Sequence, residues 1–380
     1  MKKLMTFCIV LTIQIGIIYG LYKWYVSYDS NSLNAQRNVT VNPTKDTTIT
    51  NKGDNSVQKK VTIEQKSNSR QIAHNGEAKQ IPPSDKNNIE YPKINNFNNS
   101  LIYKDAVWGN IPSLKRSNMA KTGILVDINN QTVLWAKKSR KSVPIASMTK
   151  MMTVLLALEE IENKNSAINL DTIIPVTNEA YKIGGSQVYL DPREKFPIKE
   201  LLKTMMISSA NDSSYLIAQY IGGGDVNVFV KSMNKRAKEI NMPKAHFSNP
   251  DGLPEKYSAQ DNMATAEGLV FLATRLLQYP LVRKLATTRL AYFRENTKKP
   301  MMLVNTNRLV REKFNGITGL KTGYTRRSGF CLTATCKRGK QSLIAVVTGF
   351  QSNKERNEFV KNLLNWGYNR LASDSTEKNK

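Results

Sequence analysis

The first apolar pattern in the chain is a nearly unbroken run from Leu4 to Tyr22, directly after Lys2 and Lys3. The run exceeds the roughly 7–15 residues of a signal-peptide core and approaches the roughly 20 that span a bilayer. Lysines before such a run hold the start of a chain in the cytoplasm and direct the residues after the run outward. We predict that residues 1–26 form an uncleaved membrane anchor. A cleaved signal is the alternative, and both place the remainder outside the cytoplasmic membrane.

The polar pattern changes twice after this run. Residues 27–102 are rich in Asn, Lys, Thr, Ser and Gln, with few large apolar side chains and no sustained period. Such a segment buries too little surface to offset the entropy lost on ordering, so we predict a disordered polar linker. Periodic apolar positions then continue over residues 103–372, which we predict to be one folded domain, and residues 373–380 form a polar tail.

The domain begins with a hairpin pattern followed by a helix pattern. The runs 123–127 and 132–136 flank two asparagines at 129 and 130, which is typical of a β-hairpin. After Pro144, good helix formers follow, with apolar residues recurring at helical spacing. Ser147 is therefore predicted to lie in the first turn of a helix.

The rest of the domain is predicted to be mostly helical and then strand-rich. Residues 170–290 carry several stretches with apolar side chains three to four residues apart. Residues 329–350 form a second hairpin pattern, and residues 353–371 form an amphipathic helix. Pairing the early and late strands gives an α/β (α+β) fold, in which an antiparallel sheet is flanked by helices and interrupted by a mostly helical insertion.

Composition excludes several classes of function. The 56 Lys+Arg against 30 Asp+Glu give a formal charge of +26, but no compact basic stripe with interleaved aromatics is present, which argues against nucleic acid as a partner. The two histidines and three cysteines show no metal-ligand spacing, so no metal and no cofactor is expected. Cys331 and Cys336 are an odd number of residues apart and are predicted to face opposite sides of a strand.

The segment Ser147-Met-Thr-Lys150 carries the first candidate chemistry. Positions i and i+3 share one face of a helix, so the Lys150 amine reaches the Ser147 hydroxyl. A serine needs a base to become a nucleophile, and lysine serves when burial and a neighbouring cation lower its pKa. We expect Lys321 to be that cation and the Ser147 N–H to face a developing oxyanion.

The segment Lys321-Thr322-Gly323 lies in "ITGLKTGYT", which is predicted to be a strand entered through Gly319. Lys321 and Thr322 offer a positive charge and a hydroxyl for a substrate carboxylate. Gly323 would let an extended peptide approach the backbone, and the N–H of Tyr324 is the expected second oxyanion donor.

The segment Ser209-Ala-Asn211 lies where an apolar helix pattern changes to small polar residues, as in a loop that lines a cleft. Ser209 is placed to pass a proton to a leaving amine. Asn211 is placed to hold Lys150 or a substrate amide.

With these three segments in this order, the sequence resembles the serine-type D-alanyl-D-alanine carboxypeptidases, the low-molecular-mass penicillin-binding proteins, which share the β-lactamase/transpeptidase-like fold. The resemblance covers residues 118–371 and includes "PIASMTKMMT", "ISSANDSS", "FSNPDGL", "NTNRL", "GITGLKTGYT" and "LLNWGY". It implies bacterial peptidoglycan stem peptides as substrates, β-lactams as covalent inhibitors and a cell-envelope location. It also implies Ser147 as nucleophile, Lys150 as base, Ser209 as proton relay, and orienting or binding roles for Asn211, Lys321, Thr322 and Arg356.

Other functions remain open from the sequence. A class A β-lactamase would need a Glu-x-x-x-Asn pattern between the second and third motifs, and Glu255 stands there without it. A D,D-endopeptidase would use the same residues on cross-linked peptides, and an inactive wall-binding protein would keep the fold without the chemistry. A Ser-His-Asp hydrolase is poorly supported, because the domain has only His246 and no Gly-x-Ser-x-Gly segment.

Overall fold

The computed structural model describes residues 91–92, 100–254 and 261–377, with side chains as far as residue 373. Its strands are β1 (Val107–Trp108), β2 (Thr122–Asp127), β3 (Thr132–Lys137), β4 (Val143–Pro144), β5 (Ile173–Pro175), β6 (Lys195–Pro197), β7 (Met263–Ala264), β8 (Leu290–Phe293), β9 (Met301–Val304), β10 (Ile317–Thr325), β11 (Gly329–Arg338) and β12 (Gln341–Phe350). Its helices are α1 (Lys150–Glu162), α2 (Asn178–Tyr181), α3 (Ile198–Ile207), α4 (Asn211–Ile221), α5 (Val226–Glu239), α6 (Ala266–Leu276), α7 (Pro280–Thr287), α8 (Arg308–Arg311) and α9 (Asn353–Glu377).

A six-stranded sheet in the order β1-β3-β2-β12-β11-β10 joins the two ends of the domain. The early hairpin meets the late one where β2 pairs with β12 in antiparallel register, as the sequence predicts. The sheet is antiparallel, as predicted, except at one edge, where β1 runs parallel to β3. This edge strand has only two residues, which is too short to leave a periodic apolar pattern in the sequence.

The two faces of the sheet pack against different layers. On one face α9 covers a core that includes Trp135, Phe350 and Phe359. On the other face lies the larger core of the helical part, around the buried helix α1. Cys331 belongs to the helical core and Cys336 to the α9 core, and both are free thiols, so the predicted opposite orientation is confirmed.

The chain between β3 and β10 forms the mostly helical insertion that the sequence predicts. Three small strand pairs, β4 with β7, β5 with β6 and β8 with β9, add to it and are absent from the sequence prediction. Each of these strands has only two to four residues, so their pairing depends on tertiary contacts and not on local pattern.

Residues 1–26, the predicted anchor, lie outside the described residues. Among the residues that are described, no helix combines the length and the apolar character that a membrane crossing requires. Tyr91 and Pro92, which the sequence places in the linker, contact the domain. The Tyr91 hydroxyl donates a hydrogen bond to Thr318 Oγ1 at 2.6 Å, and Gln278 Nε2 donates one to the Pro92 carbonyl at 3.1 Å.

Candidate active site

Ser147 lies in a turn that leads directly into α1. Residues Ala146–Thr149 form a 3₁₀ turn, and the α-helix begins at Lys150, so the predicted first helical turn is 3₁₀ and not α. Ala146 has a φ of +48°, which places its backbone in the left-handed region. Ser147 is half-exposed while Lys150 is fully buried. The serine hydroxyl is thus open to a substrate and its neighbouring amine is not open to water.

The Lys150 amine is held by three oxygens. Nζ donates hydrogen bonds to Ser147 Oγ at 3.1 Å, Asn211 Oδ1 at 2.5 Å and the Asp251 carbonyl at 2.6 Å. Burial lowers the pKa of Lys150 to about 8, and the charges of Asp251 and Asp212 act in the opposite direction. At neutral pH a substantial minority of the amine is therefore unprotonated and able to accept a proton.

Burial is the largest cause of the low pKa of Lys150. Lys321 is itself buried, and its pKa lies well below the usual value because of burial and of the positive charges of Lys150 and Arg356. Repulsion between the two amines is mutual, so protonation of either lysine disfavours protonation of the other. The predicted effect of Lys321 on the pKa of Lys150 stays a prediction.

Ser209 and Asn211 form the second wall of the site. The helix α3 ends at Ile207 and α4 begins at Asn211, and between them Ser209 has a φ of +68°. Both side chains are buried. The Lys321 amine donates a hydrogen bond to Ser209 Oγ at 2.8 Å, so each of the two serines has a lysine partner.

Strand β10 at the sheet edge forms the third wall. The Thr322 hydroxyl donates a hydrogen bond to Thr306 Oγ1 at 2.8 Å, which orients it beside Lys321. A Cβ on Gly323 would lie 2.6 Å from the Ile145 carbonyl and 3.3 Å from the Met148 nitrogen. Gly323 therefore makes room for the turn that carries Ser147, a contact within the protein that its place in the sequence does not indicate.

The side chains of Tyr324 and Arg356 contact other parts of the domain. Tyr324 is exposed and its ring stacks on Phe330 with centroids 4.1 Å apart, and its role as an oxyanion donor stays a prediction. Arg356 is buried in α9 and donates hydrogen bonds to the Cys331 carbonyl and to Asn357 Oδ1. It acts on the site through the charge that lowers the pKa of Lys321. Its contact with a substrate carboxylate stays a prediction.

The loop 248–253 supports the site. It lies within the "FSNPDGL" segment that carries the family resemblance, but the sequence did not indicate a role for it. The Asp251 carbonyl accepts from Lys150, and a Cβ on Gly252 would lie 2.1 Å from the Ala146 carbonyl. The Pro250 carbonyl accepts hydrogen bonds from Thr153 Oγ1 and Ser214 Oγ, which links the loop to α1 and α4. The Asn-Pro-Asp-Gly sequence is a turn signal, but nothing in it indicates which elements the turn contacts.

Asn262 ties this loop to the turn of Ser147. Its Nδ2 donates hydrogen bonds to Thr149 Oγ1 at 3.0 Å and to the Asn249 carbonyl at 2.8 Å, and its Oδ1 accepts from the Ser248 backbone at 2.7 Å. Asn262 is buried, so these bonds satisfy its amide inside the protein. The side chain thereby fixes the position of the loop relative to the nucleophile.

The arrangement is suited to acyl transfer through a serine ester. It offers an accessible hydroxyl, a buried amine of lowered pKa beside it, a second serine–lysine pair, and a hydroxyl and cation on the strand edge. The described part of the chain contains no group of His, Cys, Asp and Glu side chains able to hold a metal. His246 is exposed and pairs through its backbone with Met263, away from the serines' hydrogen bonds.

A sequence profile described as D-alanyl-D-alanine carboxypeptidase matches residues 111–352. The chain belongs to this family. The family match includes Ser147, Ser209 and Lys321, which the geometry brings together. The β-lactamase-like fold predicted from the sequence is also the fold of the structural neighbours in this family, so the predicted fold class is confirmed.

The chain is similar in sequence to two relatives described here and in fold to one solved structure. D-alanyl-D-alanine carboxypeptidase DacF of Bacillus subtilis is 39% identical over 254 residues, which are 67% of this chain and 63% of that protein. A D-alanyl-D-alanine endopeptidase of Pseudomonas aeruginosa is 29% identical over 61% of this chain and 73% of its own. Penicillin-binding protein D2 of Listeria monocytogenes, in its ampicillin-bound form, is 25% identical with a TM-score of 0.58, covering 66% of this chain and 97% of its own.

Proposed function

We propose that the protein is a serine-type D-alanyl-D-alanine carboxypeptidase that removes the terminal D-Ala from peptidoglycan stem pentapeptides. One observation carries the proposal: the buried amine of Lys150, whose pKa is about 8, lies 3.1 Å from the accessible hydroxyl of Ser147. A nucleophile and base in this geometry suit the attack on an amide carbonyl. Membership of the carboxypeptidase family supports the choice of substrate.

Acylation follows from this geometry. Neutral Lys150 accepts the Ser147 proton as Oγ attacks the carbonyl carbon of the penultimate D-Ala. The carbon–nitrogen bond then breaks and leaves a serine ester. The proton that Lys150 accepted is passed by way of Ser209, which is bonded to Lys321 at 2.8 Å, to the amine of the departing D-Ala. Neutral Lys150 then accepts a proton from the water that attacks the ester carbonyl. The ester carbon–oxygen bond breaks to leave the shortened peptide with a free carboxyl group, and Lys150 returns the proton to Ser147 Oγ.

Lys321 and Thr322 bind the carboxylate of the terminal D-Ala in this scheme. Both lie on the sheet edge, where an extended peptide adds to a strand. The low pKa of Lys321 in the empty site rises when an anion binds, because the carboxylate stabilises the ammonium form. Substrate binding would thus favour the charged ammonium form of Lys321 beside the substrate carboxylate.

β-Lactams are proposed as covalent inhibitors through the same serine. Attack of Ser147 on the lactam carbonyl opens the ring, and the released nitrogen stays attached to the acyl group. The leaving group therefore does not depart as D-Ala does. The similar penicillin-binding protein D2 of Listeria monocytogenes has a structure in an ampicillin-bound form, which supports this proposal.

D,D-endopeptidase activity on peptidoglycan cross-links is the second candidate. It is favoured by the likeness to the Pseudomonas aeruginosa endopeptidase, which is weaker than the likeness to the Bacillus subtilis carboxypeptidase. The chemistry is the same in both reactions, and the substrates differ in the amine attached to the D-Ala carbonyl that is attacked: the terminal D-Ala in one, a neighbouring stem peptide in the other.

The two activities and the β-lactamase alternative are separated by one set of assays. D-Ala release from a muramyl pentapeptide, cleavage of a cross-linked muropeptide and turnover of a chromogenic cephalosporin are measured on the same protein. We expect D-Ala release, slower cross-link cleavage and slow cephalosporin turnover. Cross-link cleavage faster than D-Ala release would favour the endopeptidase, and rapid cephalosporin turnover would contradict the carboxypeptidase proposal.

We further propose that residues 1–26 anchor the protein in the bacterial cytoplasmic membrane, with the catalytic domain on the outer side. The support is the apolar run from Leu4 to Tyr22 behind two lysines. The protein should partition with membranes, and deletion of residues 1–26 should release it. Recovery of the intact chain in the soluble fraction would contradict this location.

A further inference from the structure

Tyr189 is an exposed aromatic residue held in an unfavourable backbone conformation. Its side chain is 70% exposed, whereas its neighbours Val188 and Leu190 are buried. Its φ is +53°, in the left-handed region that a bulky side chain adopts only at a cost. Glycine would adopt this conformation without that cost.

The peptide units on both sides of Tyr189 are clamped by two charged side chains. The fully buried carboxylate of Asp212 accepts hydrogen bonds from Val188 N at 3.0 Å and Leu190 N at 3.2 Å. The Arg294 guanidinium donates to the Val188 carbonyl at 2.9 Å and to the Tyr189 carbonyl at 2.8 Å, and forms an ion pair with Glu194. The loop therefore holds its conformation through the backbone and not through the tyrosine ring.

The same loop contacts the catalytic machinery. Asn211, whose side-chain oxygen accepts from Lys150, donates from its backbone N–H to the Ser186 carbonyl at 2.7 Å and from Nδ2 to the Gly184 carbonyl at 2.8 Å. Tyr189 is three residues beyond Ser186, which limits their separation to about 11 Å. Tyr189 therefore belongs to the loop that contacts Asn211, within about 11 Å of Ser186.

The ring itself contributes little to the fold. Among the described residues, no side-chain hydrogen bond and no ring contact of Tyr189 is present, and most of its surface faces solvent. Packing therefore does not explain why a tyrosine occupies this strained backbone position near the candidate active site. Rigid tyrosines of this kind serve as contact surfaces because their rings lose little conformational entropy on binding.

We propose that Tyr189 is a substrate-binding residue whose ring packs against the stem peptide on the N-terminal side of the D-Ala-D-Ala unit. The proposal rests on the proposed function and deepens it. The carboxylate of the leaving D-Ala is assigned to Lys321 and Thr322 on β10, so the opposite, acyl-donor part of the substrate extends toward the Asn211 side. Tyr189 would there cover the aliphatic groups of the residues that precede the scissile bond.

Competition for Ser147 tests the contact without requiring turnover. The unchanged protein and Tyr189→Gly are labelled with a fluorescent penicillin in the presence of increasing muramyl pentapeptide, and the concentration that halves the labelling rate is measured. Loss of the ring contact should raise this concentration about five-fold. The labelling rate without peptide should stay within about two-fold, because the substitution leaves Ser147 and Lys150 unchanged.

Stability separates a binding role from a structural one. Glycine relieves the left-handed conformation, so Tyr189→Gly should melt about 1–3 °C higher while binding the peptide more weakly. Lys313→Gly is the matched control, since Lys313 is also exposed with a φ of +54°. It should raise the melting temperature without changing the competition. Tyr189→Phe keeps the ring and should compete as the unchanged protein does.

Three results would overturn the proposal. An unchanged competition curve for Tyr189→Gly would show that the ring does not meet the peptide. A lower melting temperature together with slower labelling in the absence of peptide would assign Tyr189 to the fold. A loss in Tyr189→Phe as large as in Tyr189→Gly would exclude a ring contact. D-Ala release by the unchanged protein is read separately and tests the proposed function alone.

Discussion

Burial decides the chemistry of Lys150. Its amine is removed from water by α1 and the loop 248–253, and this lowers its pKa to about 8. The carboxylates of Asp251 and Asp212 oppose the shift. Burial and these two carboxylates together determine the pKa of Lys150. Without the carboxylates, burial would lower this pKa further, and without burial the amine would stay protonated at neutral pH.

The rate of penicillin acylation should therefore rise with pH through a midpoint near 8. The neutral amine is the reactive form, so at pH 7 about a tenth of the limiting rate is expected from a pKa of about 8. Stopped-flow labelling between about pH 6 and pH 10 measures this profile. A rate that is flat across this range, or that falls as the pH rises toward the midpoint, would contradict Lys150 as the base.

Asp251→Asn should shift that midpoint to lower pH. The substitution removes a negative charge that raises the pKa of Lys150 and leaves the backbone carbonyl that accepts its hydrogen bond. Asp127→Asn is the control, because Asp127 is also buried but accepts from Asn129 and Asn130 in the β2–β3 turn. A shift to higher pH in Asp251→Asn, or an equal shift in the control, would contradict this account.

The proximity of the proposed catalytic residues could be predicted better than the groups that surround them. Ser147 and Lys150 are three positions apart, so local spacing alone places them on one face. Asp251 is 101 positions away from Lys150, and no local pattern links the two. The large effect of burial on Lys150 could not be predicted for the same reason, since the depth at which each lysine is buried depends on the whole fold.

At the scale of elements, close backbone contacts hold the nucleophile in place. The loop at Gly252 and the strand at Gly323 each approach the turn 145–148 so closely that no Cβ fits. Glycine at these two positions therefore reflects packing against the Ser147 turn. The helix α1 and strand β10 were predictable from their apolar patterns. The contact of the strand with the turn that precedes α1 depends on tertiary structure and was not predictable.

Gly252→Ala should disrupt the site. The new Cβ would lie 2.1 Å from the Ala146 carbonyl, so the turn of Ser147 must move. We expect a loss of about 2–4 kcal/mol in the free energy of unfolding and acylation slower by about ten-fold or more.

Gly109→Ala provides the comparison for this variant. Gly109 has a similar positive φ, +78° against +87°, but nothing lies within 4 Å of its added Cβ. Backbone strain alone should cost about 1 kcal/mol and leave acylation unchanged. Equal effects of the two variants in chemical denaturation and penicillin labelling would show that the contact with Ala146 is unimportant.

At the scale of the whole molecule, the folded unit includes residues before the predicted boundary at 103. Tyr91 is partly buried against the outer edge of the sheet, where its hydroxyl bonds to Thr318 and its ring lies under Lys337 Nζ at 5.6 Å. Burial raises the pKa of this hydroxyl to about 12. The polar composition around Tyr91 hides this contact, since one aromatic residue in a polar segment gives no periodic signal.

A chain that begins at residue 81 should melt at a higher temperature than one that begins at residue 101. Loss of the Tyr91 contacts should cost about 1–2 kcal/mol, or about 2–8 °C for a domain of this size. Tyr91→Ala in the longer chain should reproduce most of the difference in a thermal melt. Identical melting of all three proteins would show that the segment does not stabilise the domain.

Penicillin should form its covalent adduct on Ser147, the proposed nucleophile, and the site of that adduct can be located directly. The protein is incubated with penicillin and digested, and mass spectrometry locates the added mass. We predict an adduct on the peptide that contains Ser147, absent from Ser147→Ala and present in Asn130→Ala as a control. An adduct on the peptide that contains Ser209, or an adduct that persists in Ser147→Ala, would contradict the account.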